Sequence, residues 1–305
     1  MLHLRVVSPA DVTAAVVAVL RAEPGATHLT RLDGAALEPV GDVVEADLAR
    51  ECTGAVLDRL SDLGIERRGG MTLETLDTTL SLAAVRAADA APGEAGDALI
   101  WEELIARTGE ESRLNATYLA FLTLACLIAA VGVVTNSPVT VVGAMVVGPE
   151  FGPLAGIAVN LVRGRLDLAR RSALAVVLGF PVAMVVTAAG ALLAEAAGLF
   201  DPDTLAAADQ VDFIYQVGPF SFVVAVLAGA AGMLSLVSAR SAALVRVFIS
   251  VTTVPAAGYA VVAATLGEWA VAGESALQLL VNLVGIVVAA VAVLLLRRRT
   301  RRFGR

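Results

Sequence analysis

Apolar and polar positions follow two regimes along the chain. Up to about residue 114 they alternate over short stretches; beyond it they merge into long runs with few charges. In the first regime Leu4 and Val6 predict a short strand, and Ser8-Pro9-Ala10-Asp11 predicts a helix start, with Pro suited to the first turn and Asp to the positive end. Val12, Ala15, Val16, Val19 and Leu20 share one helical face, stopped by Glu23-Pro24-Gly25. A second strand is predicted over Thr27–Leu32 with Asp33-Gly34 as its turn, and a third over Asp42–Leu48. An amphipathic helix follows over Cys52–Leu63, ended by Gly64, and a fourth strand over Met71–Leu76. The order β-α-β-β-α-β predicts an α+β, ferredoxin-like domain over residues 1–78, with one sheet face left open to a small-molecule ligand. His28 is expected on the strand surface.

Residues 79–114 read as a linker. Ala90-Ala91-Pro92-Gly93 is a break, after which Leu99, Ile100, Trp101, Leu104 and Ile105 form the apolar stripe of an amphipathic helix. Its acidic polar face favours docking against the soluble domain over anionic lipid.

Residues 115–296 then predict six membrane spans: Ala116–Val134, Pro138–Val162, Ser172–Ala194, Phe220–Val237, Ala242–Leu266 and Ala276–Leu296. Nineteen residues at 1.5 Å each cover the ~30 Å hydrocarbon layer. Residues 297–305 form a basic tail.

Composition agrees with this division. The chain is 58% hydrophobic and 17% charged, with mean hydropathy +0.81, more apolar surface than a water-soluble globule of 305 residues can bury. Residues 1–114 hold 20 acidic against 10 basic side chains, residues 115–305 hold 9 against 12. The arginines of the second half fall in alternate loops and after the last span: Arg163, Arg165, Arg170 and Arg171, then Arg240, then Arg297 onward. The intervening loops carry none, so the positive-inside rule predicts a multi-pass protein of the cytoplasmic membrane with both termini cytoplasmic.

Counting also narrows the chemistry. There is no lysine, which removes P-loop and Schiff-base lysines; the only histidines are His3 and His28 and the only cysteines Cys52 and Cys126. No zinc spacing, elbow serine or intramembrane Asp pair is present, and no enzyme, cofactor, metal or nucleic-acid partner is expected. The lipid bilayer is the expected partner, and a homo-oligomer is compatible with the sequence. All-Arg, Ala-rich usage points to a GC-rich bacterial coding sequence.

An internal repeat runs through the membrane half. Pro153-Leu154-Ala155-Gly156-Ile157-Ala158-Val159 lies 102 residues before Pro255-Ala256-Ala257-Gly258-Tyr259-Ala260-Val261, with five identities in seven positions. A unit of three spans is odd, so two copies in one chain must be inverted. The prediction is therefore an α-helical polytopic membrane domain of two inverted three-helix repeats, with the second and fifth helices broken, behind the ferredoxin-like cytoplasmic domain. Proline opens the helix at each break, and freed backbone groups in lipid must find partners in protein or in a wet cavity.

Asn136-Ser137-Pro138, then Val142-Gly143-Ala144-Met145-Val146-Val147, then Gly148-Pro149-Glu150-Phe151-Gly152-Pro153, resembles the hallmark of the domain of unknown function 389 family, prokaryotic hydrophobic membrane proteins with a Gly-Ala-Met and a following Pro-x-x-Gly-Pro motif. The resemblance covers about residues 100–296, including the Thr253-Val254-Pro255 break. Glu150 stands where the resemblance implies an apolar residue in many relatives, and the second break has one Pro rather than a pair. What the resemblance implies is a membrane protein without an established activity.

Glu150 is the only acid in the core of a predicted span, where a carboxylate costs ~2.5–3.5 kcal/mol unless it meets a cavity, a partner or an ion. Two readings stand side by side: a proton or cation site with Thr252 and Thr253 as neighbours, and an anionic cap on the half-helix beginning at Pro153. The candidate substrate or ion site comprises Pro149, Glu150, Gly152, Pro153, Thr252, Thr253 and Pro255, supported by Asn136, Ser137, Gly143, Met145, Asn160, Arg246 and Asn282. Arg246 is expected to snorkel, Asn160 and Asn282 to join helices, and Gly143, with Gly229 and Gly232, to allow close packing. The function expected is a transporter or channel for a small solute or ion with a regulatory cytoplasmic domain; the alternative is a membrane-anchored sensor or scaffold that moves nothing.

Overall fold

The computed structural model describes residues 1–76, 78–91, 100–200, 211, 218–238 and 253–303, the side chains of 219 and 299–303 excepted. The chain divides into two compact units, Met1–Trp101 and Glu102–Arg305.

The first unit is α+β. Strands β1 (Leu2–Ser8), β2 (Ala26–Leu37), β3 (Val40–Leu48) and β4 (Gly70–Thr75) form one antiparallel sheet in the order β2-β3-β1-β4. Helix α1 (Thr13–Arg21) joins β1 to β2 with β3 lying between them. Helices α2 (Arg50–Asp62) and α3 (Ile65–Arg68) join β3 to β4 around β1. Strand alternation sets the register: Leu2, Leu4 and Val6 oppose Leu48, Ala46 and Val44, and all six are buried with Val16, Leu20, Val56 and Leu60.

Three boundaries differ from expectation. Helix α1 begins at Thr13 rather than at Pro9, because the Pro9 carbonyl accepts from the Val12 and Thr13 N–H groups in a turn, while Ser8 Oγ accepts from the Thr13 hydroxyl. Strand β2 runs through Asp33-Gly34, since Gly34 (φ 62°) sits in an irregular stretch of the ladder and its N–H donates to Asp42. The chain reverses later, at Glu38-Pro39. Helix α3 was not anticipated; Gly64 (φ 73°) ends α2 and the chain re-coils at once.

The sheet face away from the buried Leu and Val side chains carries a polar cluster. His3 and Asp47 are cross-strand partners, and the two oxygens of Asp47 accept from His3 Nδ1 (2.8 Å) and His28 Nδ1 (2.7 Å). His28 sits at a register shift with φ 51°, which turns its ring toward both Asp47 and Ser81. Burial of Asp47 pushes its carboxyl up, but the His28 and His3 hydrogen bonds outweigh that and hold it below the usual carboxylate range. Helix α4 (Leu82–Ala90) lies against β2 and β3.

The second unit is helical: α5 (Trp101–Glu111), α6 (Ala116–Val134), α7 (Pro138–Val147), α8 (Phe151–Val162), α9 (Leu166–Ala196), α10 (Pro219–Val237), α11 (Val254–Thr265) and α12 (Trp269–Phe303). Four of these are long and apolar enough to cross a bilayer, and α7 with α8, bent by 51°, makes a fifth candidate if the pair is one span. The first span, Ala116–Val134, begins where Asn115 accepts from the Tyr118 N–H and ends at the Thr135-Asn136-Ser137 turn. The third and sixth expected spans are longer in the structure, because the amphipathic Leu166–Arg171 stretch and the arginines after Leu296 continue their helices. Of the expected fifth span only its second half, α11, is described; Thr252, Arg246 and the rest of 239–252 lie outside the described residues. Arg298 Nη1 donates to the Val162 carbonyl at 3.3 Å, so the Arg-bearing end of α12 sits beside the turn between α8 and α9.

Candidate functional site

The break in the second span is local chemistry. Gly148 (φ −59°, ψ 127°) is extended because Pro149 follows it, and α7 stops there. Helix α8 restarts at Phe151 with Glu150 as its N-cap residue, so Pro153 is its third residue rather than its first. Helix α11 starts the same way, with Thr253 as N-cap and Pro255 in its first turn. Neither proline costs a hydrogen bond, since the first four N–H groups of a helix have no intrahelical acceptor.

Neither N-cap side chain caps its own helix. Thr253 Oγ1 donates to Glu150 Oε1 at 2.6 Å instead, and both residues are 0% exposed. Glu150 thus occupies the N-cap position of α8, while its side chain bonds to the other break. The two half-helices are both 12 residues long, and their N-caps are 103 residues apart. Helix α8 packs on α9 and α12, and α11 on α12, α9 and α6. A carboxyl group thus stands at the positive ends of two helices.

Glycines let other groups approach the half-helices. A Cβ at Gly152 would collide with the Glu111 side chain, and one at Gly156 with the Ser112 and Ser172 hydroxyls. Ser112 Oγ also reaches the Gly152 carbonyl (3.4 Å). On α11, a Cβ at Gly258 would lie 2.7 Å from Ala129 Cβ and 3.0 Å from the Ala130 nitrogen.

A cleft of about 310 Å³ opens on the break. Glu110, Glu111, Arg113 and Asn115 supply its polar lining, and Tyr118, Phe121, Gly148, Pro149, Phe151 and Gly152 the remainder with Thr117. Both chain neighbours of Glu150 line it, while Glu150 itself is sealed one residue away. The Tyr118 hydroxyl is buried without a hydrogen-bond partner.

The supporting residues scatter. Asn136 (φ 46°) and Ser137 form the turn before α7, where Ser137 Oγ accepts from the Thr140 N–H and hydroxyl. Met145 is buried with Val133, Val141 and Tyr259. Gly143 does not serve close packing: among the described residues nothing lies within 4 Å of where its Cβ would be. Gly229 does, since its Cβ would meet the Ile286 carbonyl at 2.6 Å. Asn160 Nδ2 donates within its own helix, to the Gly156 carbonyl at 2.8 Å, rather than across helices, and its Oδ1 is buried without a partner. Asn282 accepts from Gln278 Nε2 at 3.4 Å along α12.

Sequence reasoning missed Glu111, Ser112, Tyr118, Ser275 and Gln278. The last two, with Asn282, form a buried polar stripe at i, i+3 and i+7 of α12, a spacing visible in the sequence but diluted by the apolar residues between. Among the described residues no cluster of three His, Cys, Asp or Glu side chains fits a metal ion.

Long apolar helices around a broken pair with a buried carboxyl at their junction define a polytopic helical membrane protein. Residues 145–288 match the family model described as Domain of unknown function (DUF389), and the chain carries this domain. Neither a curated protein nor a solved structure matches the chain.

Proposed function

We propose that the protein is a transporter or channel for a small solute or ion, with its site at the meeting of the α8 and α11 N-termini. The observation that carries this reading is the buried 2.6 Å hydrogen bond from Thr253 to Glu150, which joins the two breaks through the side chains of both N-cap residues. A helix end in lipid tolerates open backbone groups only beside protein or water, and a charged group there only beside a partner or ion. The cleft that reaches Pro149 and Phe151 supports access from one side, with Glu150 accepting a proton or cation when the seal around it opens. In this reading six spans form two inverted repeats, both termini are cytoplasmic, and the N-terminal ferredoxin-like domain regulates passage.

The test is a flux assay in proteoliposomes loaded with proton- or cation-sensitive dye. Flux in the native protein that is lost in Glu150→Gln and Glu150→Ala is the expected result. Equal flux in all three removes Glu150 from the path, and no flux above empty liposomes leaves the anchored-sensor alternative.

A further inference from the structure

The polar cluster on the first unit holds more than an ion pair. His28 Nε2 lies 2.8 Å from Ser81 Oγ, while its Nδ1 lies 2.7 Å from Asp47 Oδ2. An ionised Asp47 can only accept, so both His3 and His28 must donate through Nδ1–H. When neutral, His28 therefore presents a lone pair on Nε2, and Ser81 O–H donates to it. Ser81 Oγ in turn accepts from the Ala84 N–H (3.3 Å), which leaves its proton to the imidazole. We propose that Ser81, His28 and Asp47 form a nucleophile–base–carboxylate triad that takes an acyl group from an ester or thioester with an apolar acyl chain.

Three further features fit that chemistry. Ser81 is the N-cap of the nine-residue helix α4, so the Leu82 and Ala83 N–H groups begin a helix with no carbonyl ahead of them, where an oxyanion finds donors. Asp47 is only 8% exposed and is fixed by the second imidazole, His3, so the carboxylate that orients His28 is itself held. Leu80 and Leu82 flank Ser81 at 96% and 77% exposure and offer an apolar surface for the acyl chain.

The atoms balance with water as the second reactant. Ser81 Oγ bonds to the acyl carbon as its proton passes to His28 Nε2. The carbonyl re-forms as the bond to the leaving oxygen or sulfur breaks, and the imidazolium protonates that leaving group. Water then attacks the acyl-serine with the same base, releasing the acid and restoring Ser81. No step involves the Glu150 junction, so this activity and the flux proposed above stand or fall separately.

The experiment uses the full-length protein in detergent with a fluorophosphonate probe, which loses fluoride on bonding to an activated serine, and p-nitrophenyl butyrate as ester. Labelling at Ser81, located by peptide mass, and ester hydrolysis above the buffer rate are expected. Ser81→Asn keeps a capping side chain without the nucleophile and should abolish both. His28→Asn should lower hydrolysis about 100-fold or more, the scale of a lost general base. In His28→Gly, added imidazole should restore labelling, a response that structural damage does not give. Asp47→Asn should shift the pH–rate profile. Unlabelled Ser81 in native protein that keeps its folded circular dichroism spectrum, or equal labelling in Ser81→Asn, overturns the triad.

Discussion

Replacing Thr253 by Val removes the hydroxyl that joins the two breaks while nearly keeping its volume. The O···O distance of 2.6 Å falls in the range of charge-assisted O–H···O⁻ bonds, and neither residue is exposed, so no bulk water replaces the lost donor. Hydrogen bonds to charged groups contribute ~1.5–3 kcal/mol, neutral ones ~0.5–1.5 kcal/mol. In Glu150→Gln the amide oxygen still accepts from Thr253, but without charge. Thr253→Val should therefore cost ~1.5–3 kcal/mol in the native background and ~0.5–1.5 kcal/mol in Glu150→Gln, a coupling of about 1–1.5 kcal/mol. The assay is reversible unfolding of the four proteins in mixed detergent, followed by far-ultraviolet circular dichroism. Equal costs in both backgrounds would show that the bond carries no charge-dependent energy, and the junction would be a packing contact only.

Three other outcomes are expected. Gly258→Ala should lose ~1–3 kcal/mol, because its Cβ meets the Ala130 backbone, whereas Gly143→Ala should gain ~0.5–1 kcal/mol in an open helix position; melting temperatures in detergent check both, and the same sign for the two would contradict the packing described. Burial, with the Glu23 carboxylate nearby, pushes the Cys52 thiol up to about 12, so maleimide at pH 7.5 should leave Cys52 unmodified until denaturant is added; rapid labelling of folded protein would refute this. Asp42 is held below the usual carboxylate range by the Gly34 N–H, and Asp11 by the Arg68 guanidinium. Their stabilisation is complete above the ordinary carboxylate value of ~3.9 and is lost as pH falls through the lower folded values, since the unfolded chain takes up protons first. Amide exchange in β1 and β3 should accelerate as pH falls below about 4; exchange that follows only its intrinsic pH dependence would argue against it.

The sequence made the long elements legible and the long-range pairings mostly not. Ala116–Val134 is bounded as expected, because an Asn cap and a polar turn bracket a charge-free run. The start of α9 was missed by a turn and a half, because Leu166–Arg171 reads as a loop when hydropathy alone is followed. Thr253 was named as a neighbour of Glu150 from the repeat offset, and the half-helix starts differ by a similar 103 residues. The placement of Ser112 and Glu111 against Gly152 and Gly156 depends on how α5 packs, which no local pattern encodes. His28, Asp47 and Ser81 belong to a strand with a register shift, its neighbouring strand and a helix cap; the sheet register brings the first two together, and the packing of α4 on β2 and β3 brings the third.

The hydrogen bond from Arg298 to Val162 has a consequence for the lipid around the protein. It gathers the guanidinium-bearing start of α9 and the end of α12 at one rim of the helical unit. With 31 residues, α9 is about 46 Å long at 1.5 Å per residue, some 16 Å more than the hydrocarbon thickness, so length is left to tilt or to project at a polar end. Were that rim to lie at an anionic leaflet, each Arg near the surface would contribute about 1 kcal/mol of attraction, and membrane charge would then bias how far these rods lean.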